Sequence, residues 1–256
     1  MRFWKEYLGE FIGTAILVFV GCGSVAIAVL YYPLELWHVA LIWSIGVALA
    51  IYAVKGYSSA HLNPAVTLAM ALATKCEWKK VPQYFIVQLA GAMAASALLL
   101  GLINTDLTAY ETLNGFVRGD DNSYHSAVMF GEFFPNPSVE KTIEVSQLLA
   151  CLAEGLGTFA LVIVIFMLTH KPRQIDAIIP ILIGLTVGAI IMVVAPYTQA
   201  GLNPARDFGP RLVAYFGGWG TTAFPRISMS FLTVYIISPL LGGAIASYVR
   251  RLIFKR

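Results

Sequence analysis

Six apolar stretches, each close to twenty residues long, restrict the fold of this chain more than any other feature. A helix needs about 20 apolar residues to span a bilayer. Because 58% of the residues are hydrophobic and 12% are charged, against about 25% charged residues in soluble domains, we expect an all-α integral membrane protein. The six predicted transmembrane helices lie at about residues 7–30, 37–56, 82–103, 146–169, 177–195 and 229–252.

Two further apolar stretches, at residues 64–74 and 204–215, are only half as long as a span. Each opens with the same tripeptide, in HLNPAV at 61–66 and GLNPAR at 201–206. Asn is a favourable N-cap, and Pro is favoured at the first helical position. The sequence therefore predicts two short helices that begin inside the membrane, with motif residues Asn63, Pro64, Ala65, Asn203, Pro204 and Ala205.

The two halves of the chain repeat one another. EFIGT at 10–14 is echoed by EGLGT at 154–158, and QLAGAMAAS at 88–96 by PLLGGAIAS at 239–247, with the Asn-Pro-Ala motifs between them. Each half holds three full spans and one half span, so the second half must be inverted relative to the first. We expect one channel-type domain over 1–256, with repeat one at about 1–103, an external loop at about 104–145 and repeat two at about 146–256.

The charged residues predict the orientation of the spans. Cytoplasmic loops carry an excess of Lys and Arg, which places both termini of this multi-pass chain in the cytoplasm. The first apolar run is predicted to be a span and not a signal peptide. The predicted cytoplasmic side carries Arg2, Lys5, Lys55, Lys75, Lys79, Lys80, Lys171, Arg173, Arg250, Arg251, Lys255 and Arg256, and the opposite loop carries Asp106, Glu111, Asp120, Asp121, Glu132, Glu140 and Glu144.

Inversion brings the two caps, Asn63 and Asn203, together near mid-membrane. Each helix N-terminus carries roughly half a positive charge, so two of them facing one pore oppose cations, including hydronium. We expect the Asn amides to project N–H donors into the lumen and orient a passing water. Neighbouring backbone carbonyls and two valines are expected to line the same path, namely Ser59, Ala60, His61, Gln199, Gly201, Val47 and Val187.

At these residues the chain resembles the aquaporin superfamily, and it looks most like the glycerol-facilitator branch, the aquaglyceroporins. The shared motifs cover nearly the whole length: EFIGTA, GYSSAHLNPAV, QLAGA, FPNP, AEGLGTF, GLNPARDFGPR and SPLLGGA. The resemblance implies a right-handed bundle of six helices with two re-entrant half-helices, assembled as a homotetramer with one pore per subunit. It also implies that Glu10 and Glu154 hold the re-entrant loops through backbone N–H groups.

The resemblance further implies a four-residue selectivity filter toward the outer mouth. Matched to this chain, its positions are Trp43, Ile191, Ala200 and Arg206. Trp43 and Arg206 agree with glycerol facilitators, whereas Ile191 and Ala200 depart from the usual Gly and Phe. Other positions that distinguish the branches are mixed: Asp207, Arg211 and Ile236 are of the glycerol type, and Tyr235 is aromatic as in water channels.

Other roles are open for three of these sites. Arg206 could be a structural partner of Asp207, although adjacent helical residues point apart. Glu10 and Glu154 could form a proton relay, and His61 could be a gate or a metal ligand. We favour a lumen position for Arg206 and a loop-holding role for the two glutamates and for His61. Asp207 is interpreted as structural, bound to local backbone near a helix N-terminus.

The sequence therefore predicts a passive channel in the plasma or inner membrane for glycerol or other small neutral solutes, together with water, that excludes ions and protons. A water-selective channel is the alternative, and a secondary transporter is a more distant one, since transporters also use inverted repeats. No combination of residues typical of an enzyme site is visible in the spans. No cofactor, metal ion or nucleic-acid partner is expected.

Overall fold

The computed structural model describes residues 3–139, 142–170, 175–225, 227 and 229–253, and Arg2, Glu140, Lys171, Arg173, Lys255 and Arg256 lie outside that part. Six of its helices are long and apolar enough to cross a membrane, which confirms the six predicted spans. The part described holds no strand. The helices are α1 (Phe3–Leu30), α2 (Leu36–Val54), α3 (Pro64–Leu72), α4 (Val81–Asn114), α5 (Tyr124–Ala127), α6 (Gln147–Leu168), α7 (Ile179–Thr198), α8 (Pro204–Ala214) and α9 (Ser238–Ile253), with a wider π-helical turn at Leu232–Ile237 leading into α9.

The half-helices α3 and α8 each pack mainly against the other repeat. Helix α8 packs on α4 and α3 packs on α9, while α2 packs on α7 across the repeat boundary. The repeats are therefore interlocked, and neither half-helix can leave its position without disturbing the opposite repeat.

Small residues allow the spans to approach closely, and they do so at equivalent places in both repeats. A Cβ on Gly91 of α4 would lie 2.3 Å from the backbone oxygen of Phe11, and a Cβ on Gly242 of α9 would lie 2.2 Å from that of Gly155. Close backbone approach through small residues is a usual means of packing helices in membranes. These contacts give the repeated small-residue runs a packing role.

The connection between the repeats differs from the prediction. Helix α4 continues to Asn114, where Gly115 ends it with a positive φ of 69°, so residues 104–114 of the predicted external loop are helical. The rest of the connection folds back onto the bundle, and Phe130, Phe133 and Phe134 are buried. The number of apolar residues determines how much of a helix can cross the membrane. The helix itself can continue through polar sequence until a residue caps it.

Candidate functional site

The two Asn-Pro-Ala motifs begin the half-helices in the same way. The Asn63 side-chain oxygen accepts a hydrogen bond from the Ala65 N–H at 2.8 Å, and Pro64 occupies the first turn of α3. Asn203 accepts from the N–H groups of Ala205 at 3.1 Å and Arg206 at 3.3 Å. Both asparagines have extended backbone, as an N-cap requires.

The two caps are also bonded across the repeats. Asn63 Nδ2 donates to the backbone oxygen of Leu202 at 3.0 Å, and Asn203 Nδ2 donates to that of Leu62 at 2.8 Å. Each amide thus uses one of its two N–H groups on the opposite motif, which the sequence did not indicate. Only the second N–H of each amide is left to meet a solute.

The segments before the caps adopt an unusual backbone. Ala60 and Leu62 have φ values of 50° and 52°, and the equivalent Ala200 and Leu202 have values of 64° and 55°. Left-handed conformations of non-glycine residues cost about 1–2 kcal/mol each, so other contacts must hold these segments in place. The repetition in both halves shows that this geometry is a built feature of the site.

Glu10 and Glu154 supply the holding contacts. Glu10 accepts from the backbone N–H of His61 at 3.0 Å and of Leu62 at 2.7 Å. Glu154 accepts from Gly201 at 2.8 Å and Leu202 at 2.7 Å. Both carboxylates are fully buried and neither lines the cavity described below.

Hydroxyl and amide side chains complete each carboxylate's shell of donors. Ser58 donates to Glu10 at 2.5 Å and the equivalent Thr198 donates to Glu154 at 2.6 Å. Glu10 has an additional donor in Gln88 Nε2 at 2.9 Å. The sequence reasoning missed these three residues, although a Gln inside an apolar span is a signal that it needs a buried partner.

A cavity of about 430 Å³ runs past both caps. Both Trp43, in α2, and Lys55, the residue after α2, line the cavity. They are twelve residues apart, which is about 18 Å at the α-helical rise, so the cavity extends about that far along α2. Of the residues predicted from the sequence, it is lined by Trp43, Val47, Ser59, Ala60, His61, Asn63, Val187, Ile191, Ala200, Gly201, Asn203 and Arg206.

The remaining predicted residues do not line this cavity. The four Pro and Ala residues of the motifs form the first turns of α3 and α8 and are buried. Gln199, predicted to contribute a backbone carbonyl to the lumen, is not among the residues that line the cavity, and its side-chain oxygen accepts from the Phe133 N–H at 2.7 Å. The side chain of Gln199 therefore ties the connection between the repeats to the end of α7.

Two lysines lie at one end of the cavity, which we call the Lys75 end. Lys55, Lys75 and Asp176 are among the lining residues there. Burial lowers the pKa of Lys75, and the positive charge of Arg250 lowers it further. Acidic, basic and hydroxyl side chains therefore all line this end of the cavity.

At the opposite end, which we call the Arg206 end, a guanidinium and an indole face each other. Arg206 Cζ lies 4.3 Å from the centre of the Trp43 ring. The Trp43 ring fits against Gly21, where an added Cβ would lie 2.1 Å from the indole. Gly21 thus makes room for Trp43 behind the cavity wall, and Ile191 and Ala200 complete the buried surroundings.

Arg206 forms an ion pair with Glu132 of the connection between the repeats. The two side chains are only 6% and 3% exposed. Burial raises the pKa of the Glu132 carboxyl to about 8, and the charge of Arg206 opposes that rise. The interpretation that Arg206 pairs with its neighbour Asp207 does not match the structure.

Asp207 binds residues that the sequence did not indicate. It accepts from the Glu132 N–H at 2.9 Å and forms a fully buried ion pair with Arg211 at 2.6 Å. The expectation that Asp207 binds local backbone is therefore wrong, because its backbone partner is 75 residues away. Gly131 leaves space for this pair, since a Cβ there would lie 2.8 Å from Arg211 Cζ.

Glu132 was the main omission of the sequence reasoning, which counted it only among the acidic residues of the external loop. A signal was present: residues 127–134 read AVMFGEFF, an apolar run with one carboxylate. An apolar run in a connecting segment predicts burial, and a buried carboxylate requires either a cationic partner or several hydrogen-bond donors.

Fold and site together define an integral membrane channel built from inverted repeats with two re-entrant half-helices. Residues 1–250 match the family described as Major intrinsic protein. The chain belongs to the major intrinsic protein family, which confirms the resemblance to the aquaporin superfamily.

Two curated relatives have similar lengths. The chain is 38% identical to the glycerol uptake facilitator protein of Pseudomonas aeruginosa, over 98% of this chain and 89% of the relative. It is 37% identical to the glycerol uptake facilitator protein of Haemophilus influenzae, over 94% of this chain and 90% of the relative.

A solved structure supports the fold. The aquaglyceroporin from Plasmodium falciparum superimposes with a TM-score of 0.79 at 24% sequence identity, over 99% of this chain and 98% of the other. The similarity extends over both repeats and the connection between them.

Proposed function

We propose that the chain, acting as a single unit over both repeats, is a passive channel for glycerol and other small neutral solutes together with water. The observation that carries the proposal is the cavity that passes the two cap residues, Asn63 and Asn203, and ends at Arg206 and Trp43. The glycerol uptake facilitators of Pseudomonas aeruginosa and Haemophilus influenzae, at 38% and 37% identity, support glycerol as the solute.

The caps would exclude ions in this proposal. Two half-helix N-termini point at one another, and each carries roughly half a positive charge. A neutral hydroxyl can replace its lost hydration by accepting the remaining N–H of Asn63 or Asn203, whereas a cation meets the same field without compensation. The cross-repeat bonds to Leu62 and Leu202 support this role, because they fix the direction of both amides.

The Arg206 end would act as the selectivity filter. Trp43 would contact the carbon backbone of a solute, and Arg206 would donate to its hydroxyls. Ala200 leaves one wall open, while Ile191 occupies another. All four side chains line the cavity, which supports assigning them to one constriction.

The passage beyond the filter would carry acceptors on one wall and apolar groups on the other. Ser59, Ala60 and His61 would present backbone carbonyls to solute hydroxyls. Val47 and Val187 would face the carbon atoms. This arrangement suits a polyol, which has a polar and an apolar side, better than it suits an ion.

The cellular setting follows from the same proposal. We place the chain in the plasma or inner membrane as a homotetramer, with both termini and the Lys75 end of the cavity in the cytoplasm. The basic residues near that end, among them Lys55, Lys75 and Arg250, support the orientation through the positive-inside rule.

Reconstituted vesicles test the proposal directly. Stopped-flow light scattering should show glycerol and water fluxes well above those of protein-free vesicles, and the glycerol flux should rise linearly with its gradient. Flux that saturates at low concentration, or that follows an imposed proton or sodium gradient, would indicate a coupled transporter. Water flux without glycerol flux would indicate a water-selective channel.

A further inference from the structure

Tyr84, in the first turns of α4, lies behind the first re-entrant segment, residues 58–72, and its side chain is fully buried. Its ring packs against the His61 ring, with the two centroids 5.3 Å apart and the ring planes at 59°. His61 lines the cavity two residues before the Asn63 cap. A buried side chain of α4 therefore supports a residue of the cavity wall.

The His61 ring depends on this packing for its direction. Its Nδ1 atom is buried and has no hydrogen-bond partner among the residues that the structure describes. The hydrogen bond from His61 to Glu10 uses the backbone N–H, so it fixes the main chain and leaves the side-chain torsions free. Packing against Tyr84 is therefore the ring contact that fixes the imidazole beside the passage.

The direction of the Tyr84 ring is fixed in turn by an ion pair. The Tyr84 hydroxyl donates to Glu6 Oε1, and both oxygens of Glu6 accept from Lys80 Nζ, at 2.9 Å and 3.1 Å. The Lys80 and Glu6 side chains are only 16% and 20% exposed. Because a hydrogen bond to a charged group is stronger than one between neutral groups, the pair anchors the hydroxyl end of the ring.

The second repeat has a tyrosine at the equivalent place but lacks the ion pair. Tyr235 stands directly behind Gly201, where an added Cβ would lie 2.9 Å from its ring, so the cavity wall there has no side chain to hold. The Tyr235 hydroxyl donates to the backbone oxygen of Thr198 at 3.1 Å. The place equivalent to Glu6 is occupied by Ala150. The charged anchor thus accompanies the tyrosine that supports a side chain of the wall.

We propose that Tyr84 is a positioning residue of the solute path that acts through His61, and that Glu6 acts through Tyr84. With its hydroxyl anchored, the tyrosine ring blocks rotation of the imidazole into the passage beside the Asn63 cap. Without the anchor, the imidazole turns inward and obstructs glycerol more than the smaller water molecule. This inference rests on the proposed channel function and adds a determinant of which solutes pass the first cap.

Four proteins in vesicles test the proposal: the wild-type chain, Tyr84→Phe, Glu6→Ala and the matched control Tyr110→Phe, which removes a hydroxyl from the same helix at a residue that does not line the cavity. Tyr84→Phe keeps the ring and removes only the hydrogen bond to Glu6. It should lower the glycerol-to-water flux ratio about threefold, at the lower end of the coupling measured between residues in contact. Glu6→Ala removes the same bond and should lower the ratio to a similar extent, whereas Tyr110→Phe should match the wild type.

A double variant separates positioning from a general loss of stability. If Tyr84 acts through His61, adding Tyr84→Phe to His61→Ala should leave the ratio of His61→Ala unchanged, since no imidazole remains to turn. Glu6→Gln retains an oxygen that can accept from the Tyr84 hydroxyl, so it should restore most of the ratio lost in Glu6→Ala. The comparison of these two Glu6 variants is the test if Tyr84→Phe does not assemble, which would be recognised by lost water flux.

The outcomes separate this inference from the channel proposal. Wild-type vesicles that pass glycerol, combined with an unchanged ratio in Tyr84→Phe and Glu6→Ala, would overturn the role of Tyr84 alone. An equal loss from Tyr84→Phe with and without the His61 ring would also overturn it. Wild-type vesicles that pass water but no glycerol would overturn the proposed function, and the positioning role assigned to Tyr84 with it.

Discussion

The two re-entrant segments, 58–72 and 198–214, share a backbone but differ in side-chain chemistry. Both have left-handed residues before the cap, both are held by a buried glutamate, and each cap bonds to the other segment. The first half-helix then continues with Val66, Thr67 and Ala71, whereas the second has Arg206, Asp207 and Arg211 at the equivalent positions.

The difference shows how one duplicated scaffold can serve two ends of a path. Thr67 makes neutral contacts, accepting from Gln88 at 3.0 Å. The equivalent Asp207 forms a buried ion pair and anchors the connection that carries Glu132. The repeated backbone forms the passage, and the unrepeated charges give one end its chemistry.

The largest effect is expected from removing either glutamate of the scaffold. Glu10→Ala and Glu154→Ala each leave at least two backbone N–H groups and a hydroxyl without an acceptor. At about 1–3 kcal/mol per buried donor, each should cost about 3–9 kcal/mol. Water flux should be lost in both, and the melting temperature of the purified protein should fall strongly.

Glu144→Ala is the control for both variants, since this side chain is exposed. A large loss of water flux and melting temperature in only one of the two variants would contradict the view that Glu10 and Glu154 have equivalent roles.

The second-largest effect is a loss of stability that should differ between the two re-entrant segments. Asp207→Asn leaves Arg211 without its buried anion and should cost about 3–5 kcal/mol. Thr67→Val leaves one buried N–H of Gln88 without an acceptor at the equivalent position and should cost about 1–3 kcal/mol. Thermal unfolding of both variants measures the difference, and equal losses would show that charge adds nothing special to the second segment.

A pH dependence is expected at the Arg206 end. Because burial raises the pKa of Glu132 to about 8, the carboxyl is protonated below that pH and ionised above it. Arg206 faces it directly, and Asp207, Arg211 and Glu154 act from α8 and α6. The glycerol-to-water permeability ratio should therefore change as pH crosses about 8, because ionisation of Glu132 changes the charge that faces Arg206.

The Glu132→Gln variant carries no titrating group at this position and should show a flat ratio over the same range. A wild-type ratio that does not change would mean that Arg206 keeps Glu132 ionised throughout. A change of equal size in the Glu132→Gln variant would show that a different group titrates.

The smallest effect is expected from Ala200→Phe, compared with Ala60→Phe at the equivalent position of the first segment. Both alanines line the cavity with positive φ. Phe at 200 narrows the Arg206 end and should change the ranking of small and large polyols a few-fold. Phe at 60 should slow all solutes alike. If Phe at 200 also slowed all solutes alike, Ala200 would not be part of the constriction.

The sequence predicted the elements that depend on local patterns. Apolar length located the six spans, and the Asn-Pro-Ala tripeptides located the starts of α3 and α8 at the correct residues. The repeat order also predicted that the two caps would meet. These features are local or repeated, so residue type and spacing carry them.

The features that the sequence did not predict depend on contacts between distant segments. The pairing of Glu132 with Arg206 joins the connection to α8, and the binding of Asp207 to the Glu132 N–H spans 75 residues. The extension of α4 to Asn114 was missed because the prediction ended the helix where its apolar residues end. Burial of the segment around Glu132 gave this residue a role that the sequence did not indicate.

The central claim is that both caps line one narrow passage that conducts neutral solutes and opposes charge. The most direct measurement follows glycerol flux by light scattering and proton flux by an enclosed pH dye, in the same wild-type vesicles at several protein densities. Glycerol flux should increase in proportion to protein density while proton flux stays at the level of protein-free vesicles. Proton flux that rises together with glycerol flux would contradict the claim.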